Sequence, residues 1–160
     1  MDAPPSDRSR LTPAPIEVRR ARLEDAHALA VLSSQLGYPV SSSVLTERLA
    51  KLLERPDELV AVARSFNGAV VGWVHGAEQR YLEASTRCEL LGLVVDLEHR
   101  RRGVGQQLVA AMERWALGRG VTEISVRSNV VRAESHPFYE RLGYQRTKTQ
   151  HVYRKPLSAG

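Results

Sequence analysis

Hydrophobic residues recur three and four positions apart in several stretches of the chain, which is the spacing of one face of an α-helix. The first such stretch ends at Gly37, and glycine commonly terminates helices. The second stops before Pro56, which cannot continue a helix. The pattern therefore predicts four helices, over residues 23–37, 44–53, about 104–117 and about 132–143.

Strands are predicted where apolar and polar residues alternate, or where a short apolar run stands between turn residues. Asn67-Gly68 separates two of these runs and is a strong signal for a β-hairpin. The run at 87–96 is long and apolar, which is typical of a strand in the middle of a sheet. The predicted strands are 16–21, 58–66, 69–78, 87–96, 122–128 and one or two closing strands within 144–157.

The order of these elements, β-α-α-β-β-β-α-β-α-β(β), predicts an α/β (α+β) fold. Hairpin-connected strands come first and a β-α-β unit follows. The sheet is therefore expected to be mixed, mostly antiparallel and built of six to seven strands, with about four helices packed on it. The length suits a single domain, expected at 16–157. Residues 1–15 hold four prolines and almost no large apolar side chain, so a disordered leader is expected there.

Composition narrows the class of protein further. No apolar run approaches the ~18 residues of a membrane span, and the N-terminus lacks the pattern of a secretory signal. The chain is therefore expected to be cytoplasmic, with no membrane partner. The single cysteine, Cys88, excludes an intramolecular disulfide and is expected to pack as a small hydrophobic side chain. No pair of histidines stands with a carboxylate at the spacing of metal ligands, so no metal is expected.

The net charge of +5 and the isoelectric point of about 9.8 raise the question of nucleic-acid binding. The arginines are spread along the chain apart from a cluster at 100–102, and no basic tract is interleaved with aromatic residues. A small polyanionic ligand explains the cluster at least as well as nucleic acid does. No nucleic-acid partner is therefore expected.

The segment HRRRGVGQQL, residues 99–108, joins the apolar strand ending at Asp96 to a predicted helix. Glycines let a backbone approach an anion closely, and the first turn of a helix offers unpaired N–H groups and the positive end of the helix dipole. The segment lacks both the Gly-Lys-Ser/Thr of a Walker motif and the third glycine of a dinucleotide fingerprint. Taken alone, it is either a phosphate-binding loop or a solvated turn that bends at its glycines.

Two segments of the chain resemble motifs of the GNAT superfamily of N-acetyltransferases. Arg100-x-x-Gly103-x-Gly105, after the strand LLGLVVD, is similar to the family's acetyl-CoA loop, Gln/Arg-x-x-Gly-x-Gly/Ala. HPFYERLGY, residues 136–144, is similar to the family's later Phe-Tyr-x-x-x-Gly-Phe/Tyr segment. The order of strands also matches from residue 16 to about 157. The resemblance implies a sheet in which two parallel strands splay apart, with acetyl-CoA as co-substrate in the gap.

The resemblance also implies which residues contact the coenzyme. Main-chain N–H groups of residues 101–105, together with Arg100, hold the pyrophosphate, and the strand around Leu93 pairs with the pantetheine arm. An N–H group near Leu93 polarises the acetyl carbonyl, in the manner of an oxyanion hole. The implied coenzyme contacts are Leu93, Val94, Val95, Arg100, Arg101, Arg102, Gly103, Val104, Gly105 and Asn129.

Tyr139, in the Phe-Tyr pair, is the residue to which the resemblance assigns protonation of the departing thiolate. A phenol suits this step because its reference pKa, about 10, is near that of a thiol. The alternative is that Tyr139 is half of an aromatic plug that packs the last helix on the sheet. Pro137 departs from the usual pattern and bears on the exact position of the tyrosine.

Glu89, on the predicted strand 87–96, is the candidate base, because some family members carry a glutamate there that deprotonates the amine, usually through water. The alternatives are an ion pair with Arg87 or Arg127, simple exposure to solvent, and catalysis by water without a dedicated base. Strict alternation predicts two faces for this strand: Glu89, Leu91, Leu93 and Val95 on one, and Cys88, Leu90 and Val94 on the other.

The expected activity is transfer of the acetyl group of acetyl-CoA to a primary amine of a small molecule, by direct attack in a ternary complex. The loops at 36–43 and 79–86 are expected to shape the acceptor site, with Tyr38, His75 and Tyr81 as candidate contacts. The alternative for His75 is an ordinary half-buried strand residue, which is the more frequent role of a histidine in such a position. The alternatives are a protein lysine or N-terminal acetyltransferase and a CoA-binding regulatory module without activity. The resemblance also allows a homodimer.

Overall fold

The computed structural model of the chain describes residues 15–128 and 135–160. It divides into two compact units, with the boundary between Val126 and Arg127. The strands are β1 Glu17–Arg20, β2 Glu58–Arg64, β3 Val70–Gln79, β4 Arg87–Val95 and β5 Ile124–Val126. The helices are α1 Ala26–Gln35, α2 Ser42–Leu53, α3 Val104–Gly118 and, in the second unit, α4 Ser135–Arg141.

The described strands form one sheet in the order β1-β2-β3-β4-β5. Neighbours from β1 to β4 are antiparallel, and β4 and β5 are parallel, so the predicted mixed sheet is confirmed. Residues 15–128 and 135–160 contain five strands of this sheet, so the predicted number, six to seven, is wrong. Residues 144–157, within which one or two closing strands are predicted, form no helix or strand. A strand needs a neighbouring strand with which to pair, and side chains 145–160 are exposed.

Helix α3 lies close to one face of the sheet because β3 carries glycines where the helix approaches. A Cβ atom on Gly72 would lie 2.9 Å from the carbonyl oxygen of Val94, and one on Gly76 would lie 2.7 Å from Cε of Met112. A side chain on Gly72 would meet main-chain atoms of β4 and Leu108 of α3, and one on Gly76 would require the Met112 side chain of α3 to move. The opposite face is covered by α1 and α2, and its buried residues include Ala26, Leu29, Leu49, Val60 and Val62.

β4 carries a β-bulge in its middle. His75 of β3 pairs with Gly92, and the next residue, Gly76, pairs with Leu90, so Leu91 has no residue opposite it on β3. A bulge of this kind bends the strand and increases its twist. It also shifts the alternation of side chains by one residue.

The bulge changes which residues of β4 share a face. Leu90 and Leu93 pair with residues of β3 that are two positions apart, and both therefore lie on the face that α3 covers. Glu89 pairs with Ala77 and lies on the opposite face. The prediction that Glu89 shares a face with Leu93 and Val95 is therefore wrong, because the extra residue between them reverses the alternation.

An ion pair inside the first unit ties β1 to the turn before α1. Arg19 donates hydrogen bonds of 2.8 and 2.9 Å to the two carboxylate oxygens of Asp25, which also accepts one of 2.7 Å from the N–H of Arg22. Asp25 is 5% exposed. Burial by itself raises the pKa of Asp25, but the hydrogen bonds from Arg19 and Arg22 outweigh burial and lower the pKa below its ordinary value.

Replacing Arg19 by methionine is expected to lower the free energy of unfolding by about 3–5 kcal/mol, because it leaves a buried carboxylate without its partner. The matched control is Arg22→Met, whose side-chain ion pair with Glu24 is exposed and contributes about 0–1 kcal/mol. Urea unfolding of the three proteins measures both values. A loss for Arg19→Met no larger than that of the control contradicts the structure of this pair.

The same pair gives stability a dependence on pH. The folded-state pKa of Asp25 is lowered, so its contribution is complete above the unfolded-state pKa, about 4, and is lost as the pH falls through the folded-state value. Unfolding free energies measured from pH 7 to 3 should therefore fall less steeply on the acid side for Asp25→Asn than for the unmodified chain.

Candidate active site

β4 has an open edge on the side of β5. The two strands pair in parallel only as far as Leu90 and Val126, where β5 ends, while β4 continues to Val95. Within residues 15–128 and 135–160, no other strand pairs with this edge. Some main-chain N–H and C=O groups between Leu91 and Val95 are thus available to an extended ligand. The bulge at Leu91 bends β4 at the point where the pairing stops.

The open edge leads directly into the glycine loop, residues 96–103. The loop makes one turn of 3-10 helix at 97–99, and Nε of Arg100 donates to the carbonyl of Val95 at 3.3 Å. Arg101 has φ 61° and Gly103 has φ 78°, so both adopt the left-handed conformation. A side chain is unfavourable there, and a non-glycine residue with positive φ is uncommon. Such outliers concentrate at ligand-binding sites.

The loop ends at the N-terminus of α3, and this end fits an anionic ligand. The N–H groups of Val104, Gly105 and Gln106 lie in the first helical turn, where the helix offers them no acceptor, and in the described part of the chain no side chain caps them. The three preceding arginines, 100–102, are exposed. Free amides, the helix dipole and guanidinium groups together suit a polyphosphate such as the pyrophosphate of coenzyme A.

Asp96 holds the junction between β4 and the loop. Its N–H donates to the carbonyl of Val71 at 2.8 Å. Gln35 donates to one oxygen of its carboxylate at 2.9 Å, and Nδ1 of His99 lies 2.7 Å from the other. These two hydrogen bonds, that from Gln35 first, lower the pKa of Asp96, so the carboxylate is ionised at neutral pH. The sequence does not predict the contact with Gln35, because this residue lies 61 positions before Asp96 in the chain.

On the sheet face opposite α3, acidic residues lie in one row across the strands. Glu58 pairs with Ala77, and Ala77 pairs with Glu89. His75 stands in the next row, with Nε2 2.7 Å from a carboxylate oxygen of Glu58. Glu58 and Glu89 are 8% and 7% exposed. Glu58 was not predicted, because only the register of β2 against β3 brings it to His75.

The burial of Glu89 bears on which role the side chain has: catalytic base, partner in an ion pair, or exposed surface residue. Simple exposure to solvent is excluded by the 7% exposure of the side chain. Arg87, one proposed partner, has Nη1 3.5 Å from a carboxylate oxygen of Glu123. Its guanidinium also lies 4.3 Å from the ring centre of Tyr81. Glu89 as a base remains a prediction, as does Tyr81 as an acceptor contact. Tyr38, the third candidate contact, is exposed in the loop after α1.

In the second unit, Tyr139 belongs to an aromatic cluster. Its ring centre lies 5.1 Å from that of Phe138 and 5.8 Å from that of Tyr144, both at steep angles. Edge-to-face contacts of this kind hold the ring in one orientation. Pro137 lies in the first turn of the described helix, where proline is tolerated. The cluster is compatible with both the catalytic and the packing interpretation of Tyr139. Asn129 lies outside the described residues.

Cys88 is fully buried, and burial raises the pKa of its thiol, so it is protonated and unsuited to act as a nucleophile. Among the residues that the structure describes, no three His, Cys, Asp or Glu side chains come together as a metal site would require. In the same ranges, no helix has both the length and the apolar character to cross a bilayer.

The curated proteins to which the chain is similar include aminoglycoside N-acetyltransferases. The chain is 30% identical over 118 residues to an aminoglycoside N(6')-acetyltransferase type 1 of Klebsiella aerogenes, covering 72% of this chain and 77% of that protein. It is 29% identical to the enzyme of the same description in Stenotrophomonas maltophilia, over 88% of this chain and 93% of that protein. The fold is similar to that of AAC(6')-Iy in complex with a bisubstrate analogue, CoA-S-monomethyl-acetylneamine. The TM-score is 0.81 at 22% identity, covering 90% of this chain and 100% of that one.

The sequence model of the Acetyltransferase (GNAT) family matches residues 24–144. This range begins before α1 and takes in strands β2 to β5, the glycine loop and the Phe-Tyr segment. The expectation drawn from the two motifs is thus confirmed at the level of the family. The chain belongs to the GNAT family and is an acetyl-CoA-dependent N-acetyltransferase.

Proposed function

We propose that the enzyme acetylates a primary amine of a small molecule, by direct attack of the amine on acetyl-CoA in a ternary complex. The observation that carries the proposal is the open edge of β4, which continues without interruption into the glycine loop and the N-terminus of α3. That arrangement offers strand-like pairing to an extended arm and free amides to its phosphates. The curated relatives supply the acceptor class, since their names specify a small molecule that carries amines.

The loop and the strand bind and orient the co-substrate. The N–H groups of residues 101–105, with the guanidinium groups of 100–102, hold the pyrophosphate. The main chain of Leu93, Val94 and Val95 pairs with the pantetheine arm, and an N–H near Leu93 polarises the acetyl carbonyl. Acetyl-CoA supplies the activated acyl group as a thioester. Holding the thioester beside the amine contributes much of the rate enhancement, because a bimolecular reaction then becomes effectively unimolecular.

Proton transfers complete the reaction. The acceptor amine must lose a proton to become nucleophilic, and we assign this proton to Glu89, directly or through water. The nitrogen then forms a bond to the carbonyl carbon while the carbon–sulfur bond breaks. Tyr139 donates its phenolic proton to the departing thiolate, which leaves as free CoA. His75, held by Glu58, contributes hydrogen-bonding groups to the face on which Glu89 lies.

The proposal is tested by release of free thiol from acetyl-CoA in the presence of a panel of amines. The panel contains aminoglycosides, polyamines, amino acids, a lysine-containing peptide and a peptide with a free N-terminus. We expect release with at least one small-molecule amine and a faster rate with it than with either peptide. Release with the peptides alone assigns the enzyme to protein acetylation. Binding of CoA without release in any sample indicates a regulatory module.

Replacing Glu89 by glutamine is expected to lower kcat/KM for the amine about 100-fold at neutral pH, the usual size of a general-base contribution. The change keeps the shape of the side chain and removes its ability to accept a proton. Glu47→Gln, on an exposed turn of α2, is the matched control and should retain the rate. Unchanged kcat/KM for the Glu89 variant leaves water as the base.

A further inference from the structure

A single amide side chain joins the first helix to the start of the glycine loop. Gln35 is the last residue of α1. Its Nε2 donates to a carboxylate oxygen of Asp96 at 2.9 Å, and its Oε1 accepts from the N–H of Leu97 at 3.2 Å. The nitrogen and the oxygen of the amide are therefore both hydrogen-bonded, to two consecutive residues at the point where the chain leaves β4.

The contact with Gln35 is made at Asp96, the first residue of the glycine loop. The N–H of Asp96 donates to the carbonyl of Val71, which ties it to β3, and the following residues belong to the loop. His99 holds the second carboxylate oxygen from within the loop. The carboxylate of Asp96 thus joins Gln35 on one side to the 3-10 turn on the other. A shift of Asp96 would therefore move the amides that follow it.

The residues that follow Gln35 in the chain form the loop predicted to shape the acceptor site. After Gln35 the chain turns at Gly37, with φ 87°, and continues through Tyr38 to α2. The helix that ends at Gln35 packs on the sheet through buried residues such as Leu29. It therefore provides a fixed point from which the side chain reaches the loop.

We propose that Gln35 is a positioning residue for coenzyme binding: it fixes the start of the glycine loop from α1, so that the loop amides are held ready for the pyrophosphate. The inference rests on the proposed binding of acetyl-CoA at this loop. Because Gln35 is itself exposed, its removal should disturb the loop without unfolding the sheet.

The first test compares Gln35→Ala with the unmodified enzyme. Titration calorimetry with acetyl-CoA is expected to show a dissociation constant raised about 10-fold, the size expected for loss of a hydrogen bond to a charged group. The unfolding temperature of the ligand-free protein should stay the same. The control is Ser34→Ala, at the neighbouring residue, whose hydroxyl donates to the carbonyl of Ala30 within α1. An unchanged dissociation constant overturns the proposal, and a lowered unfolding temperature beside it marks a purely structural role.

The second test exchanges the amide of Gln35 and the carboxylate of Asp96 between the two positions. Gln35→Glu places a second carboxylate beside Asp96 and should weaken binding more than Gln35→Ala does. In the double variant Gln35→Glu/Asp96→Asn, the new asparagine amide donates to the new glutamate, which still accepts from Leu97. Affinity should return to within about 3-fold of the original. A double variant no better than Gln35→Glu overturns the proposal. If the unmodified enzyme itself does not bind acetyl-CoA, the proposed function fails first and this inference with it.

Discussion

Replacing Gly103 by valine is expected to raise the dissociation constant of acetyl-CoA about 100-fold, while the sheet remains folded. Gly103 has φ 78° directly before the first residue of α3. A β-branched residue is strongly disfavoured in this conformation. The backbone is therefore expected to rotate and turn the amides of the loop away from the pyrophosphate. Loss of one or two hydrogen bonds to a charged group accounts for a change of about 100-fold.

Two further variants separate backbone conformation from bulk. Gly118→Val makes the same change in open space at the other end of α3, where φ is not positive, and should leave binding intact. Gly103→Asn adds a side chain that tolerates the left-handed conformation and should bind better than the valine variant. Calorimetry with acetyl-CoA and circular dichroism provide the measurements. Binding at the original affinity by folded Gly103→Val would show that the pyrophosphate is held elsewhere.

Replacing Tyr139 by phenylalanine is expected to lower kcat about 100-fold, the usual contribution of a general acid, and to leave the affinity for acetyl-CoA nearly unchanged. The substitution keeps the ring, and with it the edge-to-face contacts to Phe138 and Tyr144, and removes only the hydroxyl group. A tyrosine that serves only to pack the helix would lose almost nothing. The variant thus distinguishes the two interpretations that the aromatic cluster leaves open.

Tyr144→Phe is the matched control, because it removes a hydroxyl from the same cluster and leaves the hydroxyl of Tyr139 in place. It should retain kcat within about 3-fold. Steady-state rates with the amine identified by the thiol-release screen give the comparison. Equal rates for Tyr139→Phe and the unmodified enzyme remove Tyr139 from the mechanism, and water then protonates the thiolate.

Local patterns predicted most of the fold. Helical spacing located α1, α2 and α3 within a few residues, and Asn67-Gly68 marks the turn between β2 and β3, where Gly68 has φ 85°. These features depend on neighbours in the chain, so the sequence carries them directly. The prediction of closing strands was wrong, because a strand depends on contacts with distant segments and not only on neighbours in the chain. A strand requires a neighbouring strand with which to pair, and the residues at 144–157 do not reveal whether such a neighbour exists.

The face of Glu89 could not be predicted, because it depends on the bulge at Leu91. One extra residue in β4 changes the side of the sheet on which every later side chain lies, and nothing in the run of apolar residues marks it. Gly92 is the nearest hint, since glycine inside a strand is often found at a bulge. The Glu58–His75 pair and the Gln35–Asp96 contact are likewise products of register and packing between distant segments.

The most direct measurement is a crystal structure of the enzyme with acetyl-CoA. We expect the pyrophosphate to lie against the N–H groups of residues 101–105 and the pantetheine arm to lie alongside Leu93 to Val95, in the opening between β4 and β5. A coenzyme bound at another surface, with this loop free of phosphate, would contradict it.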